Sequence, residues 1–358
     1  MKKTDLKRDD FYLIITSCLK KTSLIEIKNV ITQLKNSSPI FANEDNNVII
    51  IKTDSSFIEY SNKLLQNELE QILNTKTIER TKYYIKRLIK SLSEQKVGKI
   101  NELNLNRWKE YDDIITDSLW IFDKRDSSGV HRAGYWGNFI PQIPNQLLRR
   151  FTKRGEWVFD PFLGSGTTLI ECKRLGRNGI GVELNSSVVK ATESVVKKEA
   201  NPNKVITKIV NGDSGKMNLH KEMNKLKLKS FQFVIMHPPY WDIIKFSKKK
   251  NDLSNADSVK SFLKMFGDVV NNFYPVLEKK RYCAVVIGDK YESGEWIPLG
   301  FYVMQEMLNK GFKLKSTIVK NFDQTTAKRN QKELWRYRAL AGGFYIFKHE
   351  YIFLFQKK

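Results

Sequence analysis

Two stretches hold residues whose types and spacing can do chemistry. The first is Asp160-Pro161-Phe162-Leu163-Gly164-Ser165-Gly166-Thr167-Thr168, with Glu183 following 17 positions after Gly166. A Gly-Ser-Gly turn lets backbone pass close to a ligand. In a strand–turn–helix–strand unit, that turn faces the ligand and an acid at the tip of the second strand accepts ribose hydroxyls. The stretch lacks the G-K-[ST] of a triphosphate cradle, and G-S-G-T-T is not the G-x-G-x-x-G of a dinucleotide site. The second stretch is His237-Pro238-Pro239-Tyr240-Trp241, an imidazole, two rings that fix φ, and two aromatic faces.

These residues need elements to hold them. Trp157-Val158-Phe159 reads as a short buried parallel strand that Asp160 and Pro161 end. Thr167 and Thr168 are expected to cap a helix with apolar positions at Leu169, Ile170, Cys172 and Leu175, closed by Gly176 and Gly179. Residues 179–182 form the second strand, with Glu183 at its tip. A helix from Ser187 to Glu199 then leads to a third strand, Val205–Val210, ended by Asn211-Gly212-Asp213. Asp213 has two readings here, a ligand for a bound base or a turn residue. A fourth strand, Phe231–Met236, delivers His237 to the same edge.

With its trailing acid, the DPFLGSGTT stretch resembles motif I of the S-adenosylmethionine-dependent DNA amino-methyltransferases, and HPPY resembles their motif IV, usually [DNS]-P-P-[YFW]. The resemblance covers roughly residues 130 to 358. It implies an α/β, Rossmann-like seven-stranded methyltransferase sheet with helices on both faces, mostly parallel with one antiparallel strand slotted in near the edge. It implies S-adenosyl-L-methionine as cofactor, held by Asp160, Pro161, Phe162, Gly164, Ser165, Gly166, Thr167, Glu183, Asn185 and Asp213. Asn138-Phe139-Ile140-Pro141 matches the position of motif X, which places Phe139 beside the methionine end or, on the plainer reading, in the core. The partner implied is double-stranded DNA, in a restriction–modification, phage-defence or phage system with or without a cognate restriction subunit.

In this family the first side chain of motif IV and the first proline carbonyl accept hydrogen bonds from an exocyclic base amine. That assigns His237 and the Pro238 carbonyl as acceptors, with Pro239 shaping the turn and Tyr240 stacking on a flipped base. Trp241 either widens that platform or packs beneath it. His237 stands where Asp, Asn or Ser is usual. A histidine accepts only through an unprotonated ring nitrogen, so turnover is expected to fall as His237 protonates, near pH ~6.5 if unperturbed. The motif serves adenine N6 and cytosine N4 alike, and both stay open. Two other classes also stay open: an RNA amino-methyltransferase, and a catalytically silent nucleic-acid-binding subunit.

Composition agrees with a polyanionic partner. The 358 residues carry 62 Lys and Arg against 39 Asp and Glu, a formal charge of +23. Cys18, Cys172 and Cys283 are far apart and odd in number, and four histidines make no ligand cluster, so neither a disulfide framework nor a metal site is expected. With no signal-like leader and no apolar run near 18 residues, a cytoplasmic protein is expected. Residues 1 to 120 read as a separate helix-rich domain for DNA contact (in the manner of a winged helix) or for packing. Its expected elements are a helix around Leu24–Leu34, a strand at Val48–Ile51, and helices over Phe57–Leu73 and Lys82–Leu92. Residues 121–358 form the methyltransferase domain, with a helix from about Pro144.

Past HPPYW come a Lys-rich segment, a helix from Ala256 to Glu278, a strand at Cys283–Ile287 and a helix at Pro298–Asn309. Phe312–Val319 and Tyr351–Phe355 are the last two strands. An insert at about 321–349 separates them, far longer than a hairpin loop. Its Lys328, Arg329, Trp335, Arg336 and Arg338 interleave cations with aromatics and suit nucleic-acid contact; a self-packed surface excursion is the alternative.

Overall fold

In a computed structural model the described residues are 8–37, 48–53, 57–132, 134–322 and 332–358. The chain divides into two compact units, Met1–Lys99 with Leu103–Asp113, and Ile100–Glu102 with Ile114–Lys358.

The first unit contains α1 (Arg8–Ser17), α2 (Leu24–Ser37), an antiparallel pair β1 (Val48–Lys52) and β2 (Phe57–Ser61), α3 (Asn62–Leu73) and α4 (Ile78–Ser93). Its core gathers Ile15, Ile27, Ile31, Ile49, Ile51, Leu65, Leu69, Ile85 and Leu88. The expected single helix over Phe57–Leu73 is instead a strand followed by a helix. Phe-Ile-Glu-Tyr suits a strand paired with β1, and Ser61 then starts α3 by accepting from the Leu64 amide at 3.5 Å. On α4, Thr81, Ile85, Leu88 and Leu92 are buried, which turns Arg80, Tyr83, Lys86 and Lys90 to solvent.

The second unit is built on an eight-stranded sheet. The strands are β3 (Leu119–Trp120), β4 (Trp157–Asp160), β5 (Asn178–Glu183), β6 (Thr207–Asn211), β7 (Phe231–Met236), β8 (Leu277–Ile287), β11 (Phe312–Asn321) and β12 (His349–Lys357). Their order is β3-β11-β12-β8-β7-β4-β5-β6. β12 is antiparallel to both its neighbours, and every other pairing is parallel. This is the expected sheet with one more strand, since the two residues of β3 add an edge that is too short to show a periodicity.

Alternation along the strands feeds two faces. Val234, Met236, Cys283, Val285, Ile287 and Phe353 point to one, covered by α8 (Leu219–Lys225), α9 (Val259–Phe273) and α10 (Leu299–Asn309). Phe233, Ile235, Ala284, Val286, Ile352 and Leu354 point to the other, beneath α5 (Gln142–Phe151). The helix expected over Ala256–Glu278 is shorter at both ends. Ser258 caps α9 by accepting from the Ser261 amide at 3.1 Å, and Leu277 already pairs with Phe231 in the sheet.

The insert holds α11 (Lys332–Gly342) and docks through aromatics. Phe344 stacks on Tyr291 at 4.1 Å and Phe347 meets Trp296 at 4.2 Å, both on the small hairpin β9 (Lys290–Glu292) and β10 (Glu295–Ile297).

Between β4 and β5 lies α6 (Thr167–Leu175), and between β5 and β6 lies α7 (Ser186–Lys198). The start of α6 differs from expectation. Gly166, not a threonine, occupies the cap position, at φ +84°. The Thr168 hydroxyl is turned inward to Asp160. A Cβ on Gly166 would lie 2.7 Å from Thr192 Cγ2 and 2.8 Å from Val196 Cγ2 of α7. Left-handed backbone strain and this overlap add, so Gly166→Ala is expected to lower stability by about 2–4 kcal/mol. Urea unfolding checks it; an unchanged midpoint would mean that α6 does not begin at this glycine.

Candidate active site

The sheet order places β4 beside β7, and the connection leaving β4 for β5 runs to the opposite side from the one leaving β7 for β8. A crevice opens at such a switch point, outside the carboxyl ends of the strands. The turn after β4 and the His237–Trp241 segment after β7 both enter it. Pro161–Gly164 and Thr167 from the turn, and His237–Tyr240 from the segment, line one cavity of about 1050 Å³.

Asp160 shapes the turn from beneath. It is 2% exposed, accepts from the Phe162 amide at 2.9 Å and from the Thr168 hydroxyl at 2.6 Å, and does not line the cavity. Burial pushes its carboxyl up to about 7. Pro161, Phe162, Gly164 and Thr167 form the wall above it, while Ser165 and Gly166 sit behind. Ser165 accepts from Asn138 Nδ2 at 3.0 Å, which ties the turn to the segment preceding α5.

Two carboxylates on neighbouring strands complete this half. Glu183 ends β5 and accepts from the Gly164 amide at 3.0 Å and the Asn185 amide at 2.8 Å. Burial raises its pKa. Asp213, just past β6, accepts from the Gly215 amide at 2.9 Å and from Asn251 Nδ2 at 2.8 Å. Each carboxylate keeps acceptor capacity and lines the cavity. Asn185 does not line it; its side chain caps α7 through the Ser187 amide.

The opposite half is aromatic. Phe139 stacks on His237 with ring centroids 5.1 Å apart. His237 Nε2 lies 3.0 Å from the Tyr240 hydroxyl, which donates to Glu350 Oε2 at 2.7 Å. Glu350 Oε1 is 3.1 Å from Lys320 Nζ. Pro238 and Pro239 line the cavity beside them. Trp241 does not. Its indole N–H donates to the Ala256 carbonyl at 2.8 Å, and Lys290 Nζ sits 4.1 Å from its ring centroid. Of the two places open to it from sequence, it takes the packed one.

Sequence reasoning missed several wall residues. Tyr135 and Phe246 stack on each other at 6.2 Å in the cavity wall, and Asn251, Asp252 and Leu253 follow from the Lys-rich segment. Lys320 and Glu350 also escaped notice, because each falls one residue outside the strand ends read from sequence and meets the other only through the register of β11 and β12. The insert residues lie elsewhere. Trp335, Arg336 and Arg338 stand on α11, with the Arg338 guanidinium 5.2 Å from the Trp335 ring, and none lines the cavity. Lys328 and Arg329 fall outside the described residues. No cluster of metal-ligating side chains occurs among the described residues, and no helix there is long and apolar enough to cross a membrane.

A family model described as DNA methylase matches residues 13–194 and 231–358, which reaches further toward the N-terminus than the motifs do. The type II methyltransferase M.MjaII of Methanocaldococcus jannaschii is 44% identical over 57 residues, 16% of this chain and 10% of that protein. M.MthZI of Methanothermobacter thermautotrophicus is 32% identical over 25% of this chain and 24% of its own length. M2.DpnII of Streptococcus pneumoniae is 34% identical over 28% and 35%. The alignments therefore span from a tenth to about a third of these relatives. Among solved structures, TrmN from Thermus thermophilus aligns with a TM-score of 0.41 at 15% identity, over 62% of this chain and 50% of that one.

The environment of His237 revises the pH expectation. Burial, with Lys320 nearby, outweighs the pull of Glu350 and pushes its pKa down to about 4. The imidazole is therefore neutral from pH 8 down to about 5, and the fall expected near 6.5 moves well into acid. An NMR titration of the His237 ring protons should give a midpoint near 4; a midpoint near 6.5 would contradict the buried placement.

Proposed function

Because the chain belongs to the N6/N4 DNA methylase family, we propose that it moves a methyl group from S-adenosyl-L-methionine to the exocyclic amine of a flipped-out adenine or cytosine in double-stranded DNA, as the modification enzyme of a restriction or defence system. The observation that carries this reading is the convergence of the Gly-rich turn and His237-Pro238-Pro239-Tyr240 on one cavity. At about 1050 Å³ the cavity stands at the upper end of the usual range, roughly 300–1,000 Å³ for small-ligand pockets, so it has room for a cofactor and a base together.

The residues present fit the cofactor. Glu183 and Asp213 offer acceptors to ribose hydroxyls and an adenine amine, and the Gly164 backbone allows close approach. Carboxylates also suit the positive charge of a sulfonium. When bound, S-adenosylmethionine supplies an electrophilic methyl.

The chain's own groups prepare the nucleophile. An exocyclic amine has its lone pair delocalised into the ring. Accepting its N–H groups at His237 and at the Pro238 carbonyl localises that pair on nitrogen. Tyr240, Phe139 and the paired prolines hold the base plane so that nitrogen and methyl meet in line. Tyr135 and Phe246 add aromatic surface to the same wall.

Long-read methylome sequencing of a methylation-free host tests the reading. One modified motif should appear with the chain and vanish with Tyr240→Ala, which also settles N6 against N4. Unmodified DNA beside methylated RNA would overturn it in favour of RNA chemistry. Calorimetry should find S-adenosylmethionine affinity lowered about 10- to 100-fold by Glu183→Ala, the loss of charged hydrogen bonds worth about 1.5–3 kcal/mol. Unchanged affinity would remove Glu183 from the cofactor site.

A further inference from the structure

We propose that Glu350, anchored by Lys320, selects the tautomer of His237 through the Tyr240 hydroxyl, leaving Nδ1 as the acceptor that meets the target amine. The proposal rests on the reading of His237 as acceptor given above and deepens it by naming the atom and the residues that position it.

Counting the protons along Lys320, Glu350, Tyr240 and His237 fixes the tautomer. Lys320 only donates and a carboxylate only accepts, so the contact of Glu350 Oε1 with Lys320 Nζ at 3.1 Å fixes one end of the chain. Glu350 Oε2 then takes the single hydroxyl proton of Tyr240 at 2.7 Å. Tyr240 has no second proton to give. The 3.0 Å contact between its oxygen and His237 Nε2 therefore requires a proton on Nε2. A neutral imidazole carries one proton, so Nδ1 holds a free lone pair. Nδ1 has no hydrogen-bond partner among the described residues, and His237 lines the cavity. Lys320 and Glu350 are 6% and 5% exposed, so the pair is sheltered from competing water.

The same count of protons predicts a reversal. In Glu350→Gln the amide oxygen must face Lys320, which cannot accept, and the amide N–H₂ faces Tyr240. Tyr240 then accepts from the amide and gives its own proton to Nε2. The ring proton moves to Nδ1, and the nitrogen facing the amine becomes a donor. An amide replacing the orienting carboxylate of a catalytic histidine is known to impose the wrong tautomer at large cost in rate.

The test uses full-length protein labelled with 15N-histidine, in which two-bond 1H–15N correlations separate the two tautomers. The four histidines are told apart by the loss of one pattern in His237→Asn. Wild type should show His237 protonated on Nε2 and Glu350→Gln should show it on Nδ1. Single-turnover methyl transfer to DNA should fall on the order of 100-fold in the variant, with S-adenosylmethionine affinity within about twofold of wild type. Wild type protonated on Nδ1, or an Nε2 proton that persists in the folded variant, would overturn the proposal. The wild-type spectrum decides even if the variant does not fold. Should wild type transfer no methyl to DNA, the functional reading fails, while the tautomer result stands or falls by itself.

Discussion

A carboxylate cannot remain buried unless its charge and its lone pairs are answered, and this constraint organises the edge of the cavity formed by β7, β11 and β12. Glu350 is answered by a cation on one oxygen and a phenol on the other. Both answers fix geometry. The cation comes from the facing position of the adjacent strand, since Lys320 and Glu350 are register partners. The phenol belongs to Tyr240, 110 residues away in sequence, and its ring is one wall of the cavity. The aromatic face proposed to receive a base is thus tethered by a hydrogen bond at its far end.

The tether exists because β12 runs backwards. In an all-parallel sheet every strand presents its last residues at the ligand-binding edge. Inserting one antiparallel strand between β8 and β11 brings the first residues of β12 to that edge instead. Glu350 therefore meets the ends of β11 and β7, which supply Lys320 and the His237–Tyr240 segment. The antiparallel strand acts here as a supplier of chemistry as well as a sheet closure. Past α11, Phe344 and Phe347 stack on the β9–β10 hairpin, and no residue of α11 lines the cavity.

The half of the site made by local motifs was legible in the sequence. The Gly-rich turn, Glu183, Asp213 and HPPY sit on elements whose apolar runs and glycine stops are strong signals, and β7 lies where Phe231–Met236 placed it. What failed to show was tertiary or cross-strand. Asp160 carries the motif's first acid, yet its oxygens are consumed by Phe162 and Thr168, because a turn with two left-handed glycines needs an internal acceptor. Lys320 and Glu350 acquire meaning only from register. Phe57–Ser61 looked helical beside α3 until β1 gave it a partner. The two residues of β3 are shorter than any period that could reveal them.

Charge is divided within the molecule in a way that suits the two ligands proposed for it. The chain carries +23 overall, yet the described wall of the cavity holds five carboxylates, Asp123, Glu183, Asp213, Asp252 and Glu350, against the three cations Lys124, Arg125 and Lys320. One of those cations is already paired with Glu350. A polyanionic backbone is repelled by such a wall and attracted by the rest of the surface, while a sulfonium is attracted by the wall. A neutral nucleobase crosses between these fields without penalty, provided it leaves its phosphates outside. That distribution supports the proposed reading, in which the strand stays outside, the cationic cofactor sits within, and only an uncharged base enters the cavity.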